Sequence, residues 1–533
     1  MFGQGRAGSE PRVPVVDDSR ESIAARPTKN GNPGWTLMVV ALATFMLMLD
    51  LTVVNVALPD IRSSFDSSFS DLQWFLDAYA LGLATILLAA GALADRIGRR
   101  IVFQSGLIVF TVASLICGLA PNGVTLIGAR FLQGLGGAVL FAVGPALLGH
   151  EFRGKDRGKA FGVFGAVAGL AIAFGPLIGG ALTEFSSWRW IFLVNIPPAL
   201  VAICFCHAKV RESRDDASPS VDWVGSLSFS VALFFVVLGV MRGTPDGWIS
   251  LGVTGCFVVS ALLIVVFLVV QFRRRESALF DIALLVNRTF NGLSLVTALS
   301  AFSVMPAIFF LISYVRNVLE YSPLASGVRF LPLTLLVFVA AGLCGSVVAK
   351  WQPALLIGAS QLFIAAGSFA VLLVQPDSDW TALLPAMVLI GIGMGLFNPP
   401  RAALSIAVTV PAKAGMASGT NETFQQAGLA VGIAAMGALF QERVSVAFSE
   451  GPVAALLGSR AADASDTIAA GAAAEVVNSV PASIAQEVRN AATSAFVSGL
   501  HDMMMVAGSI ASVAGILAFA TIRRRDLDST ALA

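Results

Sequence analysis

The chain has 533 residues, of which 56% are hydrophobic and 13% charged, and its mean hydropathy is +0.82. A soluble globule has nearly a quarter of its residues charged, so the composition excludes that class and points to an all-α polytopic membrane protein. The formal net charge of +1 excludes little by itself, because it hides how the basic residues are distributed.

Residues 1–34 are polar, rich in Gly, Pro and Arg, and lack the apolar core of a cleaved signal peptide; they read as a disordered cytoplasmic tail. Apolar segments follow at about 35–58, 72–94, 101–120, 124–148, 160–182, 190–208, 223–241, 250–271, 290–312, 324–348, 354–374, 381–408, 416–440 and 498–521. Each is about long enough to cross a hydrocarbon core, which gives fourteen transmembrane helices and puts both termini on one side. The tails and the loops on their side hold 24 of the 34 Lys and Arg residues, and the opposite loops hold 7. Basic residues are retained in the cytoplasm during insertion, so both termini are expected there.

Between the second and third spans lies GALADRIGRR, residues 91–100. Gly91 and Gly98 are expected to let two helices leave this turn close together, and Asp95, Arg96, Arg99 and Arg100 charge it.

An ionisable side chain within a span costs several kcal/mol unless paired or wetted, so the few present are functional candidates. Asp50 lies two-thirds of the way through the first span. Arg130 lies about 10 Å inside the fourth, with Gln133 on the same face. Asp77 lies near the outer end of the second, which places all three charged residues in the outer half of the membrane. Asp50 and Arg130 suit either a static ion pair that fixes helix packing or a carboxylate that alternately holds and releases a proton.

In the fifth span Gly165, Gly169, Gly175, Gly179 and Gly180 form a face that another helix can approach closely, and Pro176 permits a bend. Trp188 and Trp190, in WRWIFLVNIPPA, suit the outer interface. Asp222 is placed to cap the seventh span. Residues 441–497 fall outside the membrane; their Ala-rich runs suit amphipathic helices or a hairpin over the outer face, and equally a mobile loop.

Helix 4 (134–148) recurs loosely in helix 12 (391–405), and the small-residue pattern of helix 5 recurs around 424–439, as in transporters built from two equivalent bundles. In the second half Glu422 lies about 10 Å into the thirteenth span with Gln425 and Gln426 one turn away. This suits a cation or proton site, or a polar helix end reaching cytoplasmic water. Arg401 and Arg329 are weaker candidates, each able to snorkel to an interface.

All five cysteines lie in apolar segments with no histidine at ligand spacing, so no metal is expected. There is no GxxxxGK[ST] string and no catalytic companion for the three histidines, so neither ATP drive nor an enzyme is expected. Phe is abundant (37) and Tyr scarce (3), which favours an apolar, aromatic cavity for hydrophobic or amphipathic solutes, including cations.

Gly91, Leu93, Ala94, Asp95, Arg96, Gly98, Arg99 and Arg100 fill the signature loop between helices 2 and 3 of the major facilitator superfamily, and the chain resembles that superfamily over about 35–522. Asp50 to Pro59 resembles the helix 1 motif of its fourteen-span drug/proton antiporters. Arg130, Gln133, Gly134 and Gly136 match the helix 4 motif associated with proton transfer. Gly175, Pro176, Gly179 and Gly180 reproduce the helix 5 signature of antiporters, with Ala171 where a glycine is expected.

The resemblance implies a major facilitator fold: a six-helix bundle over 35–209, a linker with two inserted helices over 210–289, a second bundle over 290–522 that includes the 441–497 loop, and a tail at 523–533. It also implies a proton-coupled antiporter in a bacterial cytoplasmic membrane that exports amphipathic drugs. The proton gradient replaces any cofactor, and the partners are the solute, protons and the bilayer, with no nucleic acid and no second copy. The alternative is a dedicated exporter of an endogenous antibiotic, siderophore or lipid.

Overall fold

The computed structural model describes residues 33–152, 154–214, 222–274, 287–347, 351–408 and 414–523. The tails expected at 1–34 and 523–533 lie almost wholly outside these residues, as does part of the 210–289 linker. Among the described residues the structure is helical, with no strand.

A helix stands at each of the fourteen expected positions. They are α1 (Pro33–Phe65), α2 (Phe69–Ile97), α3 (Arg99–Gly118), α4 (Gly123–Glu151), α5 (Gly154–Phe185), α6 (Ile196–Lys209), α7 (Trp223–Asp246), α8 (Leu251–Arg274), α9 (Arg288–Ser313), α10 (Leu331–Val347), α11 (Pro353–Ala370), α12 (Leu384–Ala407), α13 (Ala414–Ser449) and α14 (Ala482–Thr521). Among the described residues, eleven helical segments are long and apolar enough to cross a membrane, and thirteen if two bent pairs each count as one span. One bent pair is Val163–Ile172 with Phe174–Phe185 in α5, where Pro176 cannot donate to the carbonyl four residues back. The other is Pro323–Arg329 with Leu331–Cys344, at the start of α10. The remaining helix, α2, is continuous over 29 residues.

We call the face that carries the α2–α3 turn the inner face and the opposite one the outer. In the first bundle α2 and α3 pack on α4, and α1 packs on α5. In the second, α9 and α14 pack together, α11 packs on α12 and α14, and α13 packs on α9. The inserted α7 rests on both α2 and α13, with Trp74 against Phe234 and the Ser230 hydroxyl donating to the Thr85 carbonyl. Its partner α8 packs on α7, and only 11% of its apolar window is buried, so it is an apolar helix left for lipid. Asp222 caps α7 through the Gly225 amide and also accepts from Gln271 at 2.7 Å, which ties the inserted pair together at the inner face.

Of the two readings of 441–497, the structure has the helical one. α13 runs to Ser449 and α14 starts at Ala482, so at 36 and 40 residues they are about 54 and 60 Å long, roughly twice a hydrocarbon core. Their outer ends are joined by short helices at Pro452–Leu457, Ala461–Ala469 and Ala473–Asn478. Glu475 of this hairpin reaches Arg62 at the outer end of α1, 2.9 Å away.

Candidate functional site

The first bundle is drawn tight by glycines that leave room for neighbouring backbone. Gly134 of α4 lies against Gly82 of α2, and Gly136 against Phe110 of α3. Gly175 and Gly179 lie against Thr52 and Val53 of α1. This packing brings α1, α4 and the start of α6 around one buried carboxylate.

Asp50 Oδ2 accepts from Arg130 Nη1 at 2.5 Å, and its Oδ1 accepts from Gln133 Nε2 at 2.9 Å and Asn195 Nδ2 at 3.4 Å. Arg130 also donates to Gln133 Oε1 and to the Phe75 carbonyl, and its guanidinium lies 4.2 Å from the centre of the Tyr79 ring. Gln133 donates onward to Ser114. Asp50, Arg130, Gln133 and Asn195 are each at most 1% exposed. Charge-assisted bonds in such a dry site are short and strong, yet desolvation of both charges offsets much of the gain. A proton arriving on Asp50 would cancel one charge and free Arg130 and both amides to rearrange. The cluster can therefore couple protonation to packing.

Asp77 is fully buried on α2, and neither of its carboxyl oxygens has a hydrogen-bond partner among the described residues. It does not join the Asp50 cluster. A proton removes the charge that such burial penalises.

In the second bundle Glu422 pairs with Arg401 of α12 at 3.0 Å. The Arg401 expectation is therefore corrected: it is turned inward to a carboxylate rather than out to an interface. Arg401 lies six residues before the end of α12 and Glu422 eight residues after the start of α13, so the two antiparallel helices bring them to one depth. Arg401 also donates to Asn421, which is bonded to Ser294 and Thr297 of α9. Gln426, not Gln425, donates to Glu422, because residues four apart on a helix stack on one face. Gln425 is half-buried, and its side-chain oxygen lacks a partner. Arg329 stays at the outer end, its guanidinium 3.5 Å from the centre of the Tyr321 ring.

At the inner turn Gly98 has φ +132°, a conformation that side chains oppose, so it is the residue that lets α3 follow α2. Gly91 is not part of the turn. It lies inside α2 with open space where a Cβ would stand, so the sequence expectation for it is corrected. The Glu212 carboxylate, just beyond α6, accepts from the backbone N–H groups of Arg100 and Ile101 and lies 3.6 Å from the Arg100 guanidinium. Arg99 donates its backbone N–H to the Ser213 carbonyl, while the Arg96 side chain is exposed. The Asp95 side chain lies outside the described residues.

On α5, Gly180 and Pro176 meet the other bundle. Gly180 lies against the backbone of Pro323 and Leu324, and Gly327 lies against the backbone of Pro176 and Leu177. Gly165 has nothing near it and Gly169 only Phe338, so the close-approach face is confined to the outer half of α5.

Three comparisons place this architecture. The family model described as Major Facilitator Superfamily matches residues 40–433. The chain belongs to the major facilitator superfamily. A puromycin resistance protein of Streptomyces alboniger is 36% identical over 75% of this chain and 80% of its own length. A tetracenomycin C resistance and export protein of Streptomyces glaucescens is 30% identical over 96% of both. A bacterial homologue of the lysosomal transporter Spinster, solved in an inward-facing, unoccupied conformation, superposes with a TM-score of 0.61 at 19% identity, covering 93% of this chain and 98% of that one. This protein is thus a membrane transporter and not an enzyme.

For a transporter of this superfamily, contacts between the two bundles mark which side is shut. Asp60 of α1 pairs with Arg316 beyond α9 at 2.6 Å. Glu184 of α5 accepts from the Ser322 hydroxyl and the Leu324 amide. Gln73 of α2 donates to α13. All of these lie at the outer face, which is closed. Sequence reading missed Asn195, Gln73 and Asn421 because it searched the spans for charges. An amide side chain inside an apolar run was the signal available for each.

Proposed function

We propose that this transporter is a proton-driven exporter of hydrophobic or amphipathic drugs, including cations. In this reading it works as a monomer in a bacterial cytoplasmic membrane with both termini in the cytoplasm. The observation that carries the reading is the dry cluster in which Asp50 is held by Arg130, Gln133 and Asn195. Protonation of Asp50 from outside would release Arg130, the bundles would rock, and deprotonation towards the cytoplasm would restore the pair. Asp77 and Glu422 serve as further carboxylates for protons or cationic solute, with Gln133 and Gln426 steadying the pairs.

Relatives described as resistance proteins for puromycin and as a multidrug transporter support the drug substrate, and the basic inner loops support the orientation. A dedicated exporter of a self-made metabolite is the second reading. It is favoured by the relative described as exporting tetracenomycin C, which matches nearly end to end.

Everted vesicles carrying a proton gradient, challenged with lipophilic cations, neutral drugs and peptides, test the choice. Discharge of the gradient by several unrelated cations supports the multidrug reading. Silence to the panel from a folded, abundant protein, with a response to one metabolite of the host, supports the dedicated exporter.

A further inference from the structure

We propose that Gln73 is the latch of the outer gate, and that Gly437 lacks a side chain in order to admit it. This rests on the alternating transport described above. The Gln73 amide leaves α2 in the first bundle and donates to two main-chain carbonyls of α13 in the second, Ile433 at 3.2 Å and Ala434 at 3.5 Å. Gln73 is 3% exposed. A Cβ at position 437 would overlap the Gln73 amide nitrogen, so the glycine and the glutamine form one fitted contact. Neither carbonyl gives up its helical bond, because a carbonyl oxygen has a second lone pair to offer.

The other polar bridges between the bundles stand nearer water. Glu475, opposite Arg62, is 59% exposed at its side chain, and Asp60, opposite Arg316, is 35% exposed. Water reaches the carboxylate of each pair and partly screens it, although Arg62 and Arg316 are only 11% and 9% exposed at their side chains. Gln73 makes its bonds in a dry seam, where an amide without partners is expensive. The chemistry also suits a contact that must open and close. Apolar packing alone would hold the seam without orienting it, whereas an amide on main-chain carbonyls gives a defined closed register and can exchange to water once the seam parts. Asp77 follows one turn further in, at the i+4 position on the same helix. Movement of the latch is therefore carried along α2 directly to a buried carboxyl.

The test is hydrogen–deuterium exchange on the full-length protein in lipid nanodiscs, comparing wild type with Gln73→Ala, Gly437→Ala and the double variant. Ethidium efflux is measured beside it. The latch predicts at least tenfold faster exchange over 69–77 and 433–442 in each single variant, with the inner turn around Gly98 unchanged. It also predicts that the double variant is no worse than Gln73→Ala, since the added methyl then has nothing to strike. Wild-type exchange rates in the single variants, or effects that simply add in the double, would overturn the proposal. Gln73→Asn keeps an amide one carbon short of the carbonyls and is the substitute where Gln73→Ala does not accumulate; it should give the same local rise. Exchange reports the latch without any transport, so failure of wild type to move ethidium bears on the substrate and leaves the latch result standing.

Discussion

The two bundles each bury one carboxylate against one arginine, and they do it differently. In the first, Asp50 and Arg130 have side chains 0% and 2% exposed, and both carboxylate oxygens are occupied by donors from α4 and α6. In the second, Glu422 and Arg401 have side chains 8% and 12% exposed, and the Arg401 Nε has no hydrogen-bond partner among the described residues. Depth differs too. Arg130 is about 10 Å from the outer end of α4, whereas Glu422 is about 12 Å from the inner end of α13. The loose sequence repeat would make α4 and α12 counterparts, yet Arg130 pairs with α1 and Arg401 with α13. The arginines are therefore not equivalent. Where the fold repeats, the charges have been placed independently, which gives one sealed station towards the outside and one slightly less buried station towards the inside.

The largest expected effect follows from breaking the sealed pair. Arg130→Ala leaves the Asp50 carboxylate buried without its cation, which should cost about 3–5 kcal/mol. A large drop in thermal unfolding temperature and loss of efflux are the readouts; a variant as stable as wild type would mean that water already reaches Asp50. Arg401→Ala sharpens the comparison, because its partner can draw on nearby water and on Gln426. Its stability loss should be smaller than that of Arg130→Ala, because this pair is less completely buried, while transport slows. A loss as large as that of Arg130→Ala would erase the distinction between the stations. The smallest effect separates two neighbouring amides. Gln426→Ala removes a hydrogen bond to Glu422, worth about 0.5–1.5 kcal/mol, and Gln425→Ala should leave unfolding and efflux as they are.

The helices were legible because an apolar run of twenty or so residues has few alternatives in a bilayer. The hairpin was less so, since its alanine-rich runs suit several structures. Asp50 and Arg130 were legible for a related reason: a charge is rare inside a span, and its burial demands a partner. Arg401 was misread because a residue near the end of a span has water within reach, and only the packing of α12 on α13 decides which way it turns. Gly91 was grouped with the turn on proximity, although a helix can continue through glycine; the positive φ falls on Gly98 alone in that segment. Gln73, Asn195 and Asn421 carry no charge and broke no pattern, yet each joins helices that are far apart in sequence.

The most direct test of the account is substrate-dependent proton movement by the purified protein in proteoliposomes. An internal pH dye would be read as a transported lipophilic cation is added, wild type beside Asp50→Asn, which keeps the size and the hydrogen-bonding shape of the side chain. The account predicts a proton flux coupled to substrate in wild type and none in the variant, with unfolding behaviour showing that the variant is intact. Coupled proton flux at the wild-type rate through Asp50→Asn would contradict it and move the coupling site away from α1.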